Sequence, residues 1–554
     1  MASSGCGAAA TTLILSLILS SIAVLLYAVV LSRNVISSLL GMVILFCSKA
    51  FVDYSTSGLE NPLSFVLMVL FYYYFLHKEI FFKNLLILSI LASLSALNRQ
   101  DTLLLFLFPL GYALIQYRKM DAIWALLIGF SPLILWELFS LIYYGFPFPN
   151  TYHAKLNTGI DPSAILLQGY YYYLNSLEWD PITLLVIGNG VVLSWVKRDR
   201  KLILVSLGIV SYLLYILHIG GDFMSGRFFA SPLLLAVILL SQIVKDYPVK
   251  GLVWVLILPL FSLYLYRSPL KIDFAYKEER FYNGIADERG FYYSKQGLFH
   301  ITEDIKEIGD NFTLIEDRWV LHASAYGRTS FLSPDHLYFI DIYALTDPLL
   351  SKLNCLPQSR IGHFERKLPI GYLASLVEQE NHLIHPSLSL YYDQLSLLVH
   401  DRIFSLNRLK EIWKVNLGVY DDFIREYEQD TNDLVRMEGL SSANCISTPN
   451  SITCLLNLTL MSDGIYIDLK ETIDFKRIDI LIEDPIPLQL VLIHQDKGIY
   501  QQRLVPEDAV TVEEGDAYYH INIEQQEGLS YDAIYLKADL DVDFFTIKRL
   551  TILK

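Results

Sequence analysis

The chain has 554 residues, of which 53% are hydrophobic and only 18% are charged, and its formal net charge at pH 7 is −15. Residues 1–268 contain sixteen Lys and Arg against twelve Asp and Glu, whereas the remainder contains twenty-seven against forty-six. The two halves thus carry net charges of +4 and −19, which sum to −15. This distribution indicates an apolar membrane half followed by an acidic, water-exposed half, and it excludes the basic stripe that nucleic-acid binding requires.

Ten apolar segments in the first half are long enough to be candidate membrane spans. A bilayer core is about 30 Å thick, so the shorter segments reach across it only with flanking residues. The segments are Thr12–Leu31, Ile36–Val52, Pro62–Leu76, Asn84–Leu97, Thr102–Tyr117, Ala122–Tyr144, Pro181–Val196, Leu202–His218, Phe229–Val244 and Gly251–Tyr266. The sequence therefore predicts a polytopic α-helical membrane bundle of about ten spans over residues 1–268.

The loops between these segments differ in their basic residues. One set of alternate loops holds eleven Lys and Arg, and the other holds only Lys49, Arg99, Lys155 and Arg227. Because Lys and Arg are retained on the cytoplasmic side, the first set is expected inside and the acidic half outside. This topology places Met1 outside, so we expect one further span and its outside loop to precede it. A signal peptide is the alternative, but no positively charged stretch precedes the first segment.

Four polar loops are predicted on the outer face. They are Asp53–Asn61, Asn98–Asp101, Gly145–Asp180 and Ile219–Phe228. Each loop alone also fits a turn or an interfacial ion pair. Together they indicate a functional site, because ionisable groups at membrane depth are costly and usually serve a function.

The sequences of these loops resemble those of a known family. The motifs are GLENPL at Gly58–Leu63, NRQD at Asn98–Asp101, YYGFPFPNTYHAKLNTG at Tyr143–Gly159, GGDFMSGRFFASP at Gly220–Pro232, FIDIYALTDPLLSKL at Phe339–Leu353 and RIGHFERKLPIGY at Arg360–Tyr372. They resemble the GT-C membrane glycosyltransferases typified by the mycobacterial terminal β-(1→2)-arabinofuranosyltransferase. The resemblance covers about Thr12–Tyr372.

The resemblance implies transfer of a sugar, arabinofuranose or another pentose or hexose, from a polyprenyl-phosphate donor. The acceptor would be a cell-envelope glycan at the outer face of the cytoplasmic membrane, with the C-terminal domains periplasmic. The family's acidic first outside loop is missing here, so either the chain is truncated and inactive or Asp53, Asp101 or Asp222 takes over the acidic role. The family leaves room for a divalent metal, but no ligand cluster stands out in the sequence.

Glycosyl transfer from a phosphate-linked donor needs a carboxylate base and cations for the departing phosphate. Asp222 is the first candidate for the base and Asp101 is the second. Arg99 and Arg227 are the candidates for the phosphate, assisted by Lys155, because Arg forms bidentate contacts with phosphate. For Asp222, a salt bridge to Arg227 is the alternative to a catalytic role.

Several further polar residues are candidates for sugar contacts. They are Glu60, Asn61, Asn150, Tyr152, His153, Asp341 and His363. Glu60 also fits a helix N-terminus, where a carboxylate is favoured electrostatically. His363 also fits a structural hydrogen-bonding role.

The second half is predicted to contain two domains. Residues 269–439 mix helical and strand patterns, which indicates an extracytoplasmic α/β domain. Residues 440–554 contain seven short segments of strand periodicity, which indicate a β-sandwich, the fold of many carbohydrate-binding domains. The five cysteines form no C-x-x-C pair, which disfavours a structural zinc site, although Cys445 and Cys454 could form a disulfide in an oxidising compartment.

Two other function classes fit parts of the sequence. A transporter or flippase would suit ten spans, but its polar groups are expected at the membrane midplane rather than in loops on one face. A catalytically inactive homologue or membrane scaffold would suit the missing acidic loop.

Overall fold

The computed structural model describes the first half of the chain almost completely. The described residues are 2–117, 119–265, 267–271, 281–292, 336–356, 359–369, 371–383 and 385–431, with short stretches between 296 and 331 and, from 435 onward, strands alone. The chain divides into two compact units. Residues Met1–Lys367 and Arg402–Ser405 form the first, and Leu368–Asp401 and Leu406–Lys554 form the second. The division into three domains stays a prediction.

Helices occupy most of each of the ten apolar segments of the first half. The helices are Ala2–Leu25 (α1, continued as a π-helix over Leu26–Leu31), Val35–Cys47 (α2), Lys49–Ser55 (α3), Asn61–His77 (α4), Phe82–Asn98 (α5), Leu103–Tyr117 (α6), Ala122–Gly129 (α7), Ser131–Tyr143 (α8), Asn150–Leu156 (α9), Pro162–Trp179 (α10), Pro181–Lys197 (α11), Arg200–His218 (α12), Ala230–Val244 (α13) and Pro248–Tyr264 (α14). The segment Gly145–Asp180 was expected to be a polar loop. It contains α9 and α10 instead.

Three helical stretches among the described residues are long and apolar enough to cross a membrane. They are Ala10–Leu31, Arg200–His218 and Arg227–Val244. Three helix pairs also qualify if each bent pair is one span: α2 with α3 at 80°, α7 with α8 at 50°, and α10 with α11 at 107°. Three to six spanning helices indicate a membrane protein. The count of ten is a finer prediction, since α4, α5 and α14 are shorter apolar helices.

Helix α13 forms the centre of the first unit. It is buried along almost its whole length and packs against α2, α4, α11 and α12. Its polar side chains are few, and Ser241 satisfies its hydroxyl by donating to the carbonyl of Ile238 at 2.7 Å. The outer helices α7, α8 and α14 expose large apolar side chains, including Trp124, Leu135 and Leu256. A buried central helix inside apolar outer helices is the pattern expected of a bundle in lipid.

Basic residues collect at one end of this bundle. The Nε2 atom of His77, at the end of α4, lies 2.9 Å from the carbonyl oxygen of Leu31. The ammonium of Lys201, at the start of α12, donates to the carbonyl of Phe75 at 2.8 Å. The ion pair of Lys197 with Asp246 joins the ends of α11 and α13. The loops from residues 56–60, 99–102 and 219–229 leave the helices at the other end.

The described remainder of the first unit contains short strands, a short α-helix and a 3₁₀ helix at Leu350–Lys352. The strands are Phe281–Tyr282, Ile285–Ala286, Gln296–Gly297, His300–Ile301, Thr313–Ile315, Trp319–His322 and Tyr338–Asp341, and the helix is Glu288–Tyr292 (α15). Trp319–His322 pairs with Thr313–Ile315 in antiparallel and with Tyr338–Asp341 in parallel orientation. Strand Tyr338–Asp341 leads into a segment that contributes to the site described below.

The second unit has four described helices followed by strands. The helices are Tyr372–Glu378, Pro386–His400, Leu406–Asn416 and Asp421–Thr431. One sheet has the strand order Thr511–Glu513, Asp516–Glu524, Arg477–Ile482, Phe544–Leu553, Ser451–Met461 and Cys445–Thr448, and the other has Lys497–Leu504, Leu488–His494, Tyr531–Ala538, Ile465–Ile473 and Val435–Arg436. The described residues of all seven predicted strand segments lie in these strands. Their packing as a β-sandwich stays a prediction, and the pairing places Cys445 directly opposite Cys454.

Candidate functional site

The loop between α12 and α13 lies at the polar end of the bundle. It holds the centre of this region, and its backbone reverses direction at Gly220, Gly221 and Gly226, which have φ values of 82°, 76° and 76°. A side chain is disfavoured at such angles. At Gly221 a Cβ atom would also lie 2.5 Å from the ring of Tyr172. Glycine therefore lets this loop fold closely against α10.

Arg99 lies between two carboxylates. Its Nε and Nη2 atoms donate to the two oxygens of Asp101 at 2.7 and 2.9 Å, and its Nη1 atom donates to Oε1 of Glu60 at 2.7 Å. The guanidinium also lies 4.2 Å from the centre of the Phe228 ring. The Tyr212 hydroxyl donates to Asp101 at 3.0 Å. Both oxygens of Asp101 are therefore engaged.

Arg227 shares the same glutamate. Its Nη2 atom donates to the two oxygens of Glu60 at 2.9 and 3.0 Å, and its Nη1 atom lies 3.3 Å from Oδ2 of Asp222. Its Nε atom is buried and has no hydrogen-bond partner in the described part of the chain. Burial alone would raise the pKa of Glu60, but Arg227 and Arg99 outweigh this effect and the pKa is lowered. Glu60 is thus an ionised bridge between two arginines.

Asp222 is the most buried carboxylate of this cluster. Its side chain is 3% exposed, and its Oδ1 atom accepts a hydrogen bond from the backbone N–H of Phe223 at 2.9 Å. The salt bridge to Arg227 that was the alternative to a catalytic role is present. The loop geometry explains this pair, because residues 222 and 227 lie on the two sides of the turn at Gly226.

Lys155 approaches this cluster from α9. The residue is exposed, yet protein surrounding its ammonium lowers the pKa of Lys155, while the nearby carboxylate of Asp222 opposes that shift. The charges of Arg227, Arg99 and Glu60 also act on this ammonium. The predicted phosphate-binding cations therefore come together in one place.

Asn61 and Asn98 hold the backbone around Glu60. The Asn98 side-chain amide donates to the carbonyl of Glu60 and to the hydroxyl of Ser64, both at 2.9 Å. Asn61 is buried, and its amide approaches the carbonyl of Arg227 at 3.5 Å. The Oδ1 atom of Asn61 has no partner among the described residues. The predicted sugar contact of Asn61 remains a prediction.

Glu288 is a site residue that sequence reasoning missed. It is the first residue of α15, and burial raises the pKa of its carboxyl, with Asp222 adding to the shift and Arg360 opposing it. Backbone hydrogen bonds of Ala286 with Phe223, at 2.6 Å, and with Ser225, at 2.9 Å, join the segment before α15 to the loop that carries Asp222. The only signal was an acidic pair followed by arginine in IADERG, which does not reveal the fold that brings it to Asp222.

His363 lies beside the same loop. Its ring packs edge-to-face on Phe223 with centroids 4.4 Å apart and on Tyr343 at 5.4 Å. Burial lowers the pKa of His363 to about 4, and Arg360 contributes to the shift. The Nδ1 atom of His363 is buried without a hydrogen-bond partner in the described residues. The structure thus brings the predicted histidine to the edge of the charged cluster.

Asp341 shapes its own loop. Its carboxylate accepts hydrogen bonds from the backbone N–H of Tyr343 at 3.0 Å and from the N–H and hydroxyl of Thr346 at 2.9 and 3.1 Å. Asn150 donates to the carbonyl of the same Thr346 at 3.1 Å. These contacts account for Asp341 and Asn150 without a ligand, and they fasten α9 to the segment after Tyr338–Asp341.

Tyr152 and His153 lie on an aromatic patch. Tyr152 is 41% exposed and stacks on Phe148 with centroids 4.7 Å apart. His153 packs edge-to-face on Phe146 at 5.7 Å, and burial, helped by Lys352, lowers the pKa of His153 to about 4. The Nε2 atom of His153 has no partner among the described residues. Of these two, Tyr152 is the more exposed, and His153 is half-buried.

A second buried charge network stands beside the first. Lys49 forms ion pairs with Asp53 and, at 2.9 Å, with Asp287. Arg267 contacts Asp287 at 3.0 Å, and Arg289 contacts Asp53 at 3.4 Å. Asp53, one of the residues expected to replace the missing acid, is therefore held by two cations. No group of three or more His, Cys, Asp or Glu side chains within the described ranges is arranged to hold a metal ion.

No family model, curated protein or solved structure matches this chain. The interpretation of its function therefore depends on the site geometry and on the motifs that occupy it.

Proposed function

We propose that this chain is a GT-C-like membrane glycosyltransferase that moves a sugar from a polyprenyl-phosphate donor to a cell-envelope glycan on the outer face of the cytoplasmic membrane. The observation that carries this proposal is the convergence of Arg99 and Arg227, from separate loops, on the single carboxylate of Glu60. Two guanidinium groups that meet on one anion at the end of apolar helices are suited to a lipid-linked phosphate. Lys155, exposed beside them, supplies a third cation.

Asp222 is the residue that we assign as general base. Asp101 suits that role less well, because its oxygens already accept three hydrogen bonds from Arg99 and Tyr212. Asp222 has a weaker contact to Arg227, at 3.3 Å, and its charge also acts on four ionisable groups outside the helices α3 and α10. These groups are Lys155, Glu288, Arg360 and His363. A carboxylate in such surroundings can take the proton of an acceptor hydroxyl while the cations stabilise the departing phosphate.

The position of the cluster supports transfer at the outer face. Lys197 and Lys201 lie at the opposite end of the helices, which is the end that the positive-inside rule assigns to the cytoplasm. In the proposed arrangement the segment up to Lys367 covers the outer end of a bundle of about ten spans. The C-terminal strands then form a β-sandwich with a carbohydrate-binding role.

A transfer assay in membranes tests this proposal. Membranes containing the chain are supplied with a panel of radiolabelled polyprenyl-phosphate sugars that includes arabinofuranose, and glycan-bound label is measured. We expect transfer from at least one donor, and a loss of about 10²-fold or more in Asp222→Asn, in line with the contribution of a general base. Asp246→Asn is the matched control, because that aspartate forms an ion pair at the opposite end of the bundle.

The second candidate is a catalytically inactive membrane scaffold that retains the donor-binding cations. The observation in its favour is that Asp101 and Asp222 both form ion pairs with arginines, which lowers their ability to act as bases. Donor binding without transfer, with equal behaviour of the chain and Asp222→Asn, would favour this candidate.

A further inference from the structure

Glu60 occupies the place where the two arginines converge. We propose that its carboxylate is a built-in competitor, which holds Arg99 and Arg227 in the empty site and leaves them when an anionic phosphate group binds. This inference rests on the proposed function, since it assigns the same cations to the donor phosphate. It gives Glu60 a role different from the sugar contact expected from the sequence.

Each arginine has a carboxylate partner of its own and shares Glu60 with the other arginine. Arg99 uses its Nε and Nη2 atoms for Asp101, and Arg227 uses Nη1 for Asp222. The remaining Nη1 of Arg99 and Nη2 of Arg227 both reach Glu60. The Nε atom of Arg227 is buried and has no hydrogen-bond partner in the described chain. A tetrahedral phosphate has more acceptor oxygens than a carboxylate and can engage this donor as well.

Charge balance favours the same exchange. The inner cluster contains three anions and three cations, namely Glu60, Asp101 and Asp222 with Arg99, Arg227 and Lys155. With Glu60 in place the cluster is neutral, and without it the cluster carries one positive charge. A sugar-linked polyprenyl phosphate is a phosphodiester with one negative charge, so it restores neutrality when it replaces Glu60. An unpaired charge at this depth would be costly in either state.

Glu60 can withdraw without unfolding its surroundings. Its carbonyl is fixed by Asn98 at 2.9 Å and by the N–H of Ser64 at 3.2 Å, so the backbone stays in place. Its side chain is 18% exposed, against 3% for Asp222, and is therefore more accessible to solvent. A rotation of the side chain into solvent would free the arginines and remove its charge from the cluster.

Calorimetric binding to the full chain in detergent tests the competitor role. The probe is methyl farnesyl phosphate, a phosphodiester with one negative charge, and farnesol is the uncharged control ligand. We expect Glu60→Gln to bind the phosphodiester about tenfold more tightly than the original chain, which corresponds to about 1.4 kcal/mol. Glu60→Asp, with a shorter reach to the arginines, should lie between the two. Asp246→Asn should leave the affinity unchanged.

The remaining outcomes overturn the inference. Equal or weaker binding by Glu60→Gln, with an unchanged melting temperature, would show that the glutamate only orients the arginines. If Glu60→Gln fails to fold, the affinity of Glu60→Asp is compared with that of the original chain, and equal or weaker binding overturns the inference. Failure of all the chains to bind the phosphodiester would remove the anion site itself. Glu60→Gln could bind more tightly while the original chain transfers no sugar. That result would support the competitor role and contradict only the proposed transferase activity.

Discussion

The hydroxyl of Ser48 donates a hydrogen bond to the carboxylate of Asp180 at 3.1 Å, and this contact joins the bends of two broken helices. Ser48 separates α2 from α3 at an angle of 80°, and Asp180 separates α10 from α11 at 107°. The same carboxylate oxygen accepts the backbone N–H of Ala50 at 2.9 Å and the hydroxyl of Thr183. One buried carboxylate thus satisfies the polar groups that both bends expose, as irregular backbone at membrane depth requires.

Asp180→Ala is expected to destabilise the first unit. The change removes the acceptor of the Ala50 N–H and of one hydroxyl, since Ser48 and Thr183 can still bond each other at 2.6 Å, and at about 1–3 kcal/mol for each such group the total should exceed about 2 kcal/mol. Thermal unfolding in detergent measures the effect. Asp161→Ala is the matched control, because that aspartate caps α10 at an exposed position and its loss should cost only about 1 kcal/mol. Equal shifts in the two variants would contradict the bridging role of Asp180.

Lys49→Met is expected to be more damaging than the loss of an exposed lysine. It leaves Asp53 and Asp287 as buried carboxylates with one cation fewer, and breaking a buried ion pair from one side costs about 3–5 kcal/mol. The control Lys197→Met disrupts only a partly exposed pair and should cost less than about 1 kcal/mol. Melting temperatures of the two variants measure this difference. Adding Asp287→Asn to Lys49→Met removes one unpaired carboxylate and should restore part of the lost stability. Equal melting temperatures of Lys49→Met and Lys197→Met would show that the buried network does not stabilise the fold.

The apolar helices were the most predictable part of the fold. Their length and hydrophobicity mark them wherever they occur, and helices occupy most of each of the ten predicted segments. The bend at Ser48 was missed because the usual causes, proline and glycine, are absent there, and the bend depends on Asp180 far along the chain. Helix α10 was missed because its tyrosines and polar residues lower its hydrophobicity, although Asp161 and Pro162 mark its start.

The sequence predicted which residues belong to the site, but it did not predict the contacts between them. The loops that carry Glu60, Arg99, Asp222 and Arg227 were expected on one face, and the structure brings these four together. The bridging of two arginines by Glu60 could not be inferred, because it depends on the relative positions of three loops. Glu288 was missed for the same reason, since its approach to Asp222 is set by the packing of a segment that follows the last helix of the bundle.

Acidification is expected to destabilise the chain through His363. Burial lowers the pKa of this imidazole from 6.5 to about 4, so between these values the unfolded chain binds a proton that the folded chain does not. Stability contributed by the neutral ring is therefore present above pH 6.5 and is lost as the pH falls toward 4, by an amount on the order of 1 kcal/mol. Melting temperatures at pH 8 and pH 5 should differ less in His363→Gln than in the original chain. An equal difference in both would show that His363 does not titrate in this range.

Cys445 and Cys454 are expected to form a disulfide when the C-terminal strands face an oxidising compartment. They are direct partners in an antiparallel pair, where Cα atoms lie about 4.5–5.5 Å apart, within the range of disulfides. Alkylation of the chain in native membranes, followed by mass spectrometry with and without reductant, measures the bond. Two free thiols in freshly prepared membranes would argue that these strands remain in a reducing compartment, contrary to the proposed topology.

Arg99→Lys is expected to impair the site although the positive charge is kept. A lysine cannot hold Asp101 with two parallel hydrogen bonds and reach Glu60 at the same time, because it lacks the planar fork of a guanidinium. Loss of one oriented donor to a phosphate should lower sugar transfer by about 10²-fold and weaken binding of methyl farnesyl phosphate. Arg198→Lys, at the exposed end of α11, is the conservative control and should leave both quantities unchanged. Full activity of Arg99→Lys would mean that Arg99 supplies charge alone and that the phosphate does not depend on its geometry.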